Sequence, residues 1–214
     1  MNHADQRRRM VDHDLRPRGI DDPAVLRAMG TVPREAFVPP RLEHSAYADQ
    51  PLPIGEGQTI SQPYIVAAMA QAALVAPGDA VLEIGTGSGY GAAVLHELGA
   101  SVVTVERHAA LAVAAEDALA ATGHGDVRVV VGDGTLGWES GAPYDAIVVT
   151  AAAPRPPEAL LAQLVDGGRL VIPLGDRHGG QELARLVRTG STHRRDALGG
   201  VRFVPLLGAQ GFDP

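Results

Sequence analysis

The chain has 214 residues, a net charge of −7 and 18 basic residues that are all arginine, with no lysine and no cysteine. Without cysteine there are no disulfides, thiolate metal ligands or cysteine nucleophile; without lysine there is no Walker-type phosphate lysine and no Schiff base. An acidic chain with scattered arginines lacks the basic footprint of a nucleic-acid binder, and Arg7–Arg9 reads as a solvated helix face. The apolar fraction of 45% suffices for a sizeable core. No apolar run is long enough for a membrane span, and no apolar segment follows the amino-terminal basic residues as a secretory signal requires. A cytoplasmic protein, expected to be a monomer with no nucleic-acid or membrane partner, follows.

In chain order, Asp5–Leu15 and Asp22–Met29 read as helices, the second capped by Asp21 or Asp22. Pro33–Pro40 and Pro51–Gln58 are rich in proline and glycine and read as loops. A helix is expected to run through about Ala73, capped by Thr59 or Ser61, with Pro63 in its first turn. Residues 1–78 are expected to form an addition packed on the core, part of the active site but not an independent domain.

From Asp79 onward, in the core segment 79–214, apolar runs alternate with helical patterns. Strands are expected at Ala80–Ile84, Ser101–Glu106, Val127–Val131, Ala146–Thr150 and Leu170–Pro173. Helices are expected over Tyr90–Leu98, Ala109–Thr122 and Pro157–Leu164. This alternation predicts a doubly wound α/β fold with a mostly parallel sheet covered on both faces. Gln181–Arg188 fits strand or helix, and Gly199–Leu207 holds the late apolar run VRFVPLL. Two late strands without a long helix between them would make a hairpin at the sheet edge.

Between the first core strand and its helix lies Gly85-Thr86-Gly87-Ser88-Gly89. Ligands bind there in doubly wound sheets, beyond the carboxyl ends of the strands, and glycine lets backbone approach them closely. A dinucleotide fingerprint needs a third small residue where this chain has Tyr90, so NAD fits less well than a cationic nucleoside. Glu83 sets a carboxylate near such a cation. Glu106 ends the second strand, 21 residues beyond Gly85, where an acid accepts hydrogen bonds from a ribose diol; Arg107, next in the chain, is grouped with it. Asp133 ends the third strand and is expected at the adenine edge, with Gly134 giving room. Three acids at three successive strand ends beside a glycine loop point to a nucleoside cofactor.

Gly57–Tyr64 (GQTISQPY), Val81–Tyr90, Gly132–Trp138 and Tyr144–Pro154 together resemble the protein-L-isoaspartate O-methyltransferase family. Val32–Pro39, Gly167–Gly175 and Arg202–Gly208 resemble it too, so the likeness spans nearly the whole chain in order. It implies a Rossmann-like methyltransferase core and S-adenosyl-L-methionine as cofactor. It further implies methyl transfer to the α-carboxylate of L-isoaspartyl residues in peptides and proteins, the ester then closing to a succinimide. The family's substrate-contacting serine falls on Ser61; Thr59, Ile60, Val66, Leu206 and Leu207 fall on its substrate-binding positions. Read without the resemblance, Ser61 is as readily a helix cap. Gly91 departs from the larger polar residue usual in the family. His96, His108 and His124 show no metal-ligand spacing and read as surface residues.

Three other readings remain. One is a dedicated enzyme that methylates an ordinary aspartate of a single partner peptide. The others are a non-catalytic module and an NAD-dependent oxidoreductase, the latter lacking an evident hydride-transfer acid.

Overall fold

Seven strands form one sheet in the order β5-β4-β3-β6-β7-β8-β9, and a separate two-stranded hairpin, β1-β2, stands at its mouth. The strands are β1 (Leu52–Gly55), β2 (Gln58–Ile60), β3 (Ala80–Ile84), β4 (Ser101–Glu106), β5 (Arg128–Val131), β6 (Tyr144–Val149), β7 (Leu164–Gly175), β8 (Gln181–Thr189) and β9 (Thr192–Val201). The helices are α1 (His3–Arg9), α2 (Pro23–Thr31), α3 (Pro63–Ala73), α4 (Tyr90–Glu97), α5 (Ala109–Ala121) and α6 (Glu158–Ala162). The computed structural model describes residues 2–177 and 179–213.

Strands β5, β4, β3, β6 and β7 are parallel, as the alternation of apolar runs and helices requires. The chain order reverses between β3 and β6, which opens a crevice above their carboxyl ends. In the middle of the sheet Leu82, Ile84, Ile147 and Val149 are buried on one face and pack with Leu160, Leu164 and Leu170. On the other face Val81, Ala146 and Val148 join α3, α4 and the amino-terminal helices in one apolar cluster. Met10, Leu15, Val25, Met29 and Phe37 belong to that same cluster, so residues before Asp79 share the core of the sheet.

Most core boundaries fall within a residue or two of those expected. The remaining differences have physical causes. The first helix changes to π-helical hydrogen bonding at Met10–Leu15. Asp22 caps α2, its carboxylate accepting from the backbone N–H of Ala24 and Val25. Short 3-10 turns break up the proline-rich stretch, at Arg34–Phe37 and Pro40–Ser45.

Pro51–Gln58 is not a plain loop. It carries β1 and the turn into β2, closed by Glu56 and Gly57 at φ 50° and 68°. Two consecutive positive φ values are what a tight hairpin turn with the right twist demands. Helix α3 begins with Pro63 in its first turn, but its cap residue is Gln62, whose side chain makes no capping bond. Asp49 does that work from a distance, accepting from the Tyr64 N–H at 2.9 Å. Neither Thr59 nor Ser61 is the cap, which leaves the Ser61 hydroxyl free of that task.

The edge hairpin is formed by β8, antiparallel to β7, and β9, antiparallel to β8. Its second strand lies earlier than the apolar run VRFVPLL. Thr192–Val201 takes the edge because cross-strand ion pairs suit its polar sequence: Arg185 meets Asp196 at 2.8 Å and Arg195 meets Glu182 at 2.7 Å. VRFVPLL instead turns back across the top of the sheet. Leu206 N–H donates to Ala152 O at 2.7 Å, and Ala152 N–H donates to Val204 O at 2.8 Å.

Candidate functional site

The crevice above β3 and β6 deepens into a cavity lined by four stretches of chain. The hairpin and its exit supply Gly57–Ser61, the glycine loop supplies Gly85–Ser88, and β4 ends in Glu106–His108; the carboxy-terminal segment supplies Val204–Leu207. Glu83, Val66, Tyr90, Gly91, Gly134 and Thr150 also line the cavity. Of the residues expected from sequence, the structure gathers Thr59, Ile60, Ser61, Val66, Glu83, Gly85, Thr86, Gly87, Ser88, Glu106, Arg107, Gly134, Leu206 and Leu207 around this one cavity.

The glycine loop is shaped by what stands behind it. Gly85 sits at φ +92°, and a Cβ there would overlap the Thr150 hydroxyl, which itself donates to Gly85 O at 2.7 Å. A side chain is therefore excluded by conformation and by space together. Gly89 has another task. It lies outside the cavity lining, and a Cβ on it would press on Leu119 and Ala115 at 3.2 and 3.3 Å. Its smallness lets the start of α4 seat against α5.

Glu106 is held from two sides, accepting from the N–H of Gly87 and of His108, each at 2.9 Å. A carboxylate has about four lone-pair sites, so capacity remains for a diol. Glu83 is almost wholly buried beneath the cavity; Thr104 donates to it at 2.7 Å, and the Thr104 and Thr86 hydroxyls are 2.7 Å apart. Burial pushes its carboxyl up to about 8, and the charge of Glu106 adds to the rise while the Thr104 hydrogen bond opposes it. Such an acid is poised to be ionised by an approaching cation. Gly91 keeps the space over Glu83 open, because a Cβ there would overlap its Oε1.

Asp133 follows the end of β5 beside the cavity-lining Gly134. Its carboxylate accepts from Thr135 N–H at 2.9 Å, Thr135 Oγ1 at 2.7 Å and Ala209 N–H at 2.8 Å. Burial disfavours its charge, yet these donors, from Ala209 and Thr135, and the nearby Arg107 hold the carboxyl below its usual range. His124 is misplaced by the sequence reading. It is buried beside Thr122 and His96 rather than on the surface, and burial lowers its affinity for a proton.

Sequence reasoning missed several lining residues. Tyr90 and His108 flank recognised motif residues; Thr150 carries a signal only as the polar end of an apolar strand directly beside Gly85. Val204 and Pro205 gave no sign, because nothing local shows that this run crosses the sheet top. Among the described residues no group of three or more potential ligands is placed to hold a metal ion. No helix among them is long and apolar enough to cross a membrane.

The donor set fits a cationic nucleoside. It offers two carboxyl groups on adjacent strand ends, a glycine-rich loop between them and apolar walls at Ile60 and Leu206. Comparison with known proteins agrees. The family model described as protein-L-isoaspartate(D-aspartate) O-methyltransferase matches residues 5–211. A relative from Methanoregula boonei, named protein-L-isoaspartate O-methyltransferase, is 54% identical over 98% of this chain and 96% of its own. One of the same name from Rhodopseudomonas palustris is 56% identical over 95% of this chain and 94% of its own. A solved protein-L-isoaspartate O-methyltransferase superposes with a TM-score of 0.86 at 29% identity, covering 96% of this chain and 67% of that one. A Plasmodium falciparum protein assigned to the same class, solved with S-adenosyl-L-homocysteine, gives a TM-score of 0.82 at 25% identity, over 97% of this chain and 99% of that one. By sequence, fold and the makeup of its cavity, this chain belongs to the protein-L-isoaspartate(D-aspartate) O-methyltransferase family.

Proposed function

We infer that the chain is an enzyme that methylates the α-carboxylate of L-isoaspartyl residues in peptides and proteins, with S-adenosyl-L-methionine as its cofactor. The observation that carries this reading is a juxtaposition. The Thr59–Ser61 strip, the Leu206–Leu207 strip and the glycine loop line one cavity, which in this reading brings acceptor and donor together. Full-length matches to relatives named for this activity support it over a dedicated enzyme for one peptide.

S-adenosyl-L-methionine, when bound, supplies a methyl group already activated by its sulfonium. In this reading Glu83, Gly85–Ser88, Glu106, Arg107 and Gly134, which line the cavity, would hold it. A carboxylate with a pKa near 4 is ionised at neutral pH, so the chain needs no general base. Its contribution is to hold the acceptor oxygen in line and exclude water. Ser61 donates a hydrogen bond to the acceptor carboxylate in this reading, while Thr59 and Ile60 shape the strip beside it. Val66, Leu206 and Leu207 give the peptide an apolar bed. The following backbone amide nitrogen then attacks the ester carbonyl with loss of methanol, closing a succinimide whose hydrolysis returns part of the material to normal linkage, which is repair.

The same reading has residues 1–78 working as part of the active site, and a monomer acting in the cytoplasm on peptide and protein substrates, with no nucleic-acid or membrane partner. Its test is methyl incorporation into an isoaspartyl peptide and into the aspartyl peptide of identical sequence. Labelling of the isoaspartyl form alone is expected; equal labelling of both, or none, would overturn the reading.

A further inference from the structure

The substrate wall Val204–Leu207 is continuous with a loop, residues 208–212, that folds back on itself. Phe212 N–H donates to Leu206 O at 2.8 Å, Gly208 N–H to Phe212 O at 3.2 Å and Gly211 N–H to Gly208 O at 3.1 Å. What fixes this loop to the sheet is the GDGT turn after β5. Asp133 accepts from Ala209 N–H at 2.8 Å, and Thr135 Oγ1 accepts from Gln210 N–H at 3.1 Å while donating to Asp133. Gln210 in turn accepts from Ala159 N–H at 3.0 Å, at the start of α6.

The fit is close on both sides of the joint. A Cβ on Gly208 would overlap the Asp133 carboxylate, and one on Gly211 would overlap Leu206 O and approach Thr135 Cγ2 at 3.1 Å. At its other end the segment is held by Gln181, which accepts from Phe203 N–H at 2.6 Å and donates to Phe203 O at 3.2 Å. Between these anchors the wall pairs its backbone with Ala152 and, at Leu206 O, with Phe212 N–H.

We propose that Asp133 and Thr135 are positioning residues that clamp the carboxy-terminal loop and thereby set the Leu206–Leu207 wall against the peptide. The turn carrying them also places Gly134 in the cavity lining, so one three-residue unit joins the cofactor side to the substrate side. The proposal rests on the reading that the peptide lies against Leu206 and Leu207.

The test has two arms. In the first, hydrogen exchange is followed at the amides of Ala209 and Gln210 in full-length wild type, Asp133→Asn, Thr135→Val and Thr135→Ser. Asp133→Asn is expected to speed exchange of Ala209, and Thr135→Val that of Gln210, each about tenfold, with Thr135→Ser near wild type. In the second arm, the KM for an isoaspartyl peptide is expected to rise about tenfold in Asp133→Asn, Thr135→Val and Gly208→Ala. Affinity for S-adenosyl-L-homocysteine is expected to stay within about threefold in Thr135→Val and Gly208→Ala. Gly208→Ala attacks the joint from the tail, so a fold lost in one variant leaves the others to decide. Wild-type exchange rates in both Asp133→Asn and Thr135→Val, or an unmoved peptide KM in every variant, would overturn the clamp. An inactive wild type overturns the proposed function instead, and the exchange arm still decides the clamp.

Discussion

Where the cavity meets the sheet, its lining comes from the ends of β3, β4 and β6, which are paired in the parallel sheet, and from the turns that leave them. The opposite side is made of the β1-β2 hairpin exit and the Val204–Leu207 segment, which lie outside the main sheet. Single polar side chains hold this second side: Asp49 at the start of α3, Gln181 at Phe203, and Asp133 with Thr135 at the tail. The first side is stiff because displacing it breaks the sheet. The second is adjustable at a cost of one or two hydrogen bonds, roughly 1–3 kcal/mol each when a charge takes part. A small cofactor of fixed shape is thus met by rigid backbone, and a peptide of variable sequence by a surface on tethers.

The sharpest way to break the first side is Gly85→Ala. Its Cβ would enter the Thr150 hydroxyl, at a φ that disfavours any side chain. Roughly hundredfold weaker binding of S-adenosyl-L-homocysteine is expected by titration calorimetry, from about 1–3 kcal/mol of strain together with the overlap. Affinity within a factor of three of wild type would show that the loop yields, and the contrast of rigid and tethered sides would fail there.

On the second side, Ser61→Ala is expected to lower kcat/KM for an isoaspartyl peptide about thirtyfold, as one hydrogen bond to a charged acceptor is lost. Cofactor affinity should not move, because Ser61 belongs to the other side. Unchanged turnover would remove Ser61 from the acceptor site.

Asp49→Ala probes a tether rather than a contact. The carboxylate pairs with Arg18 and caps α3 through Tyr64 N–H, just past Ser61. Arg18 also stacks over the Tyr64 ring at 3.5 Å. Loss of the cap costs about 1 kcal/mol of stability, and a peptide KM about tenfold higher with little change in cofactor affinity is expected. A KM that stays put while the protein melts earlier would make Asp49 a purely structural cap.

The same division explains what was legible in the sequence. β3 and β4 were bounded to the residue, since buried parallel strands are short apolar runs ended by glycine or acid. The glycine loop and Glu83 and Glu106 follow from those ends, because a doubly wound sheet places its ligand there. The tethered side obeys no such period. Leu52–Ile60 hid as a hairpin behind Pro51, Pro53 and the glycines of its turn. Asp133 looked like one more strand-end acid, and its bond to Ala209, 76 residues on, has no local signature. The edge strand Thr192–Val201 was passed over because it lies largely in solvent and reads as polar.

The smallest expected effect lies within the rigid side and tests whether its electrostatics are as fixed as its backbone. Glu83 is buried and its carboxyl is raised to about 8, so near neutral pH the free enzyme keeps it mostly protonated. A bound cation favours the ionised form, so binding releases a proton and tightens as pH rises. With a pKa of about 8, the ionised fraction grows about fivefold between pH 7 and 8 and little above pH 9. Affinity for S-adenosyl-L-methionine should follow that curve, while Glu83→Gln, which cannot ionise, should bind more weakly and without the slope. The neighbouring Glu106 would move any such curve but not flatten it, since its charge acts on Glu83 from the next strand. A slope that survives in Glu83→Gln would place the titrating group elsewhere and leave the buried carboxyl a structural partner of Thr104.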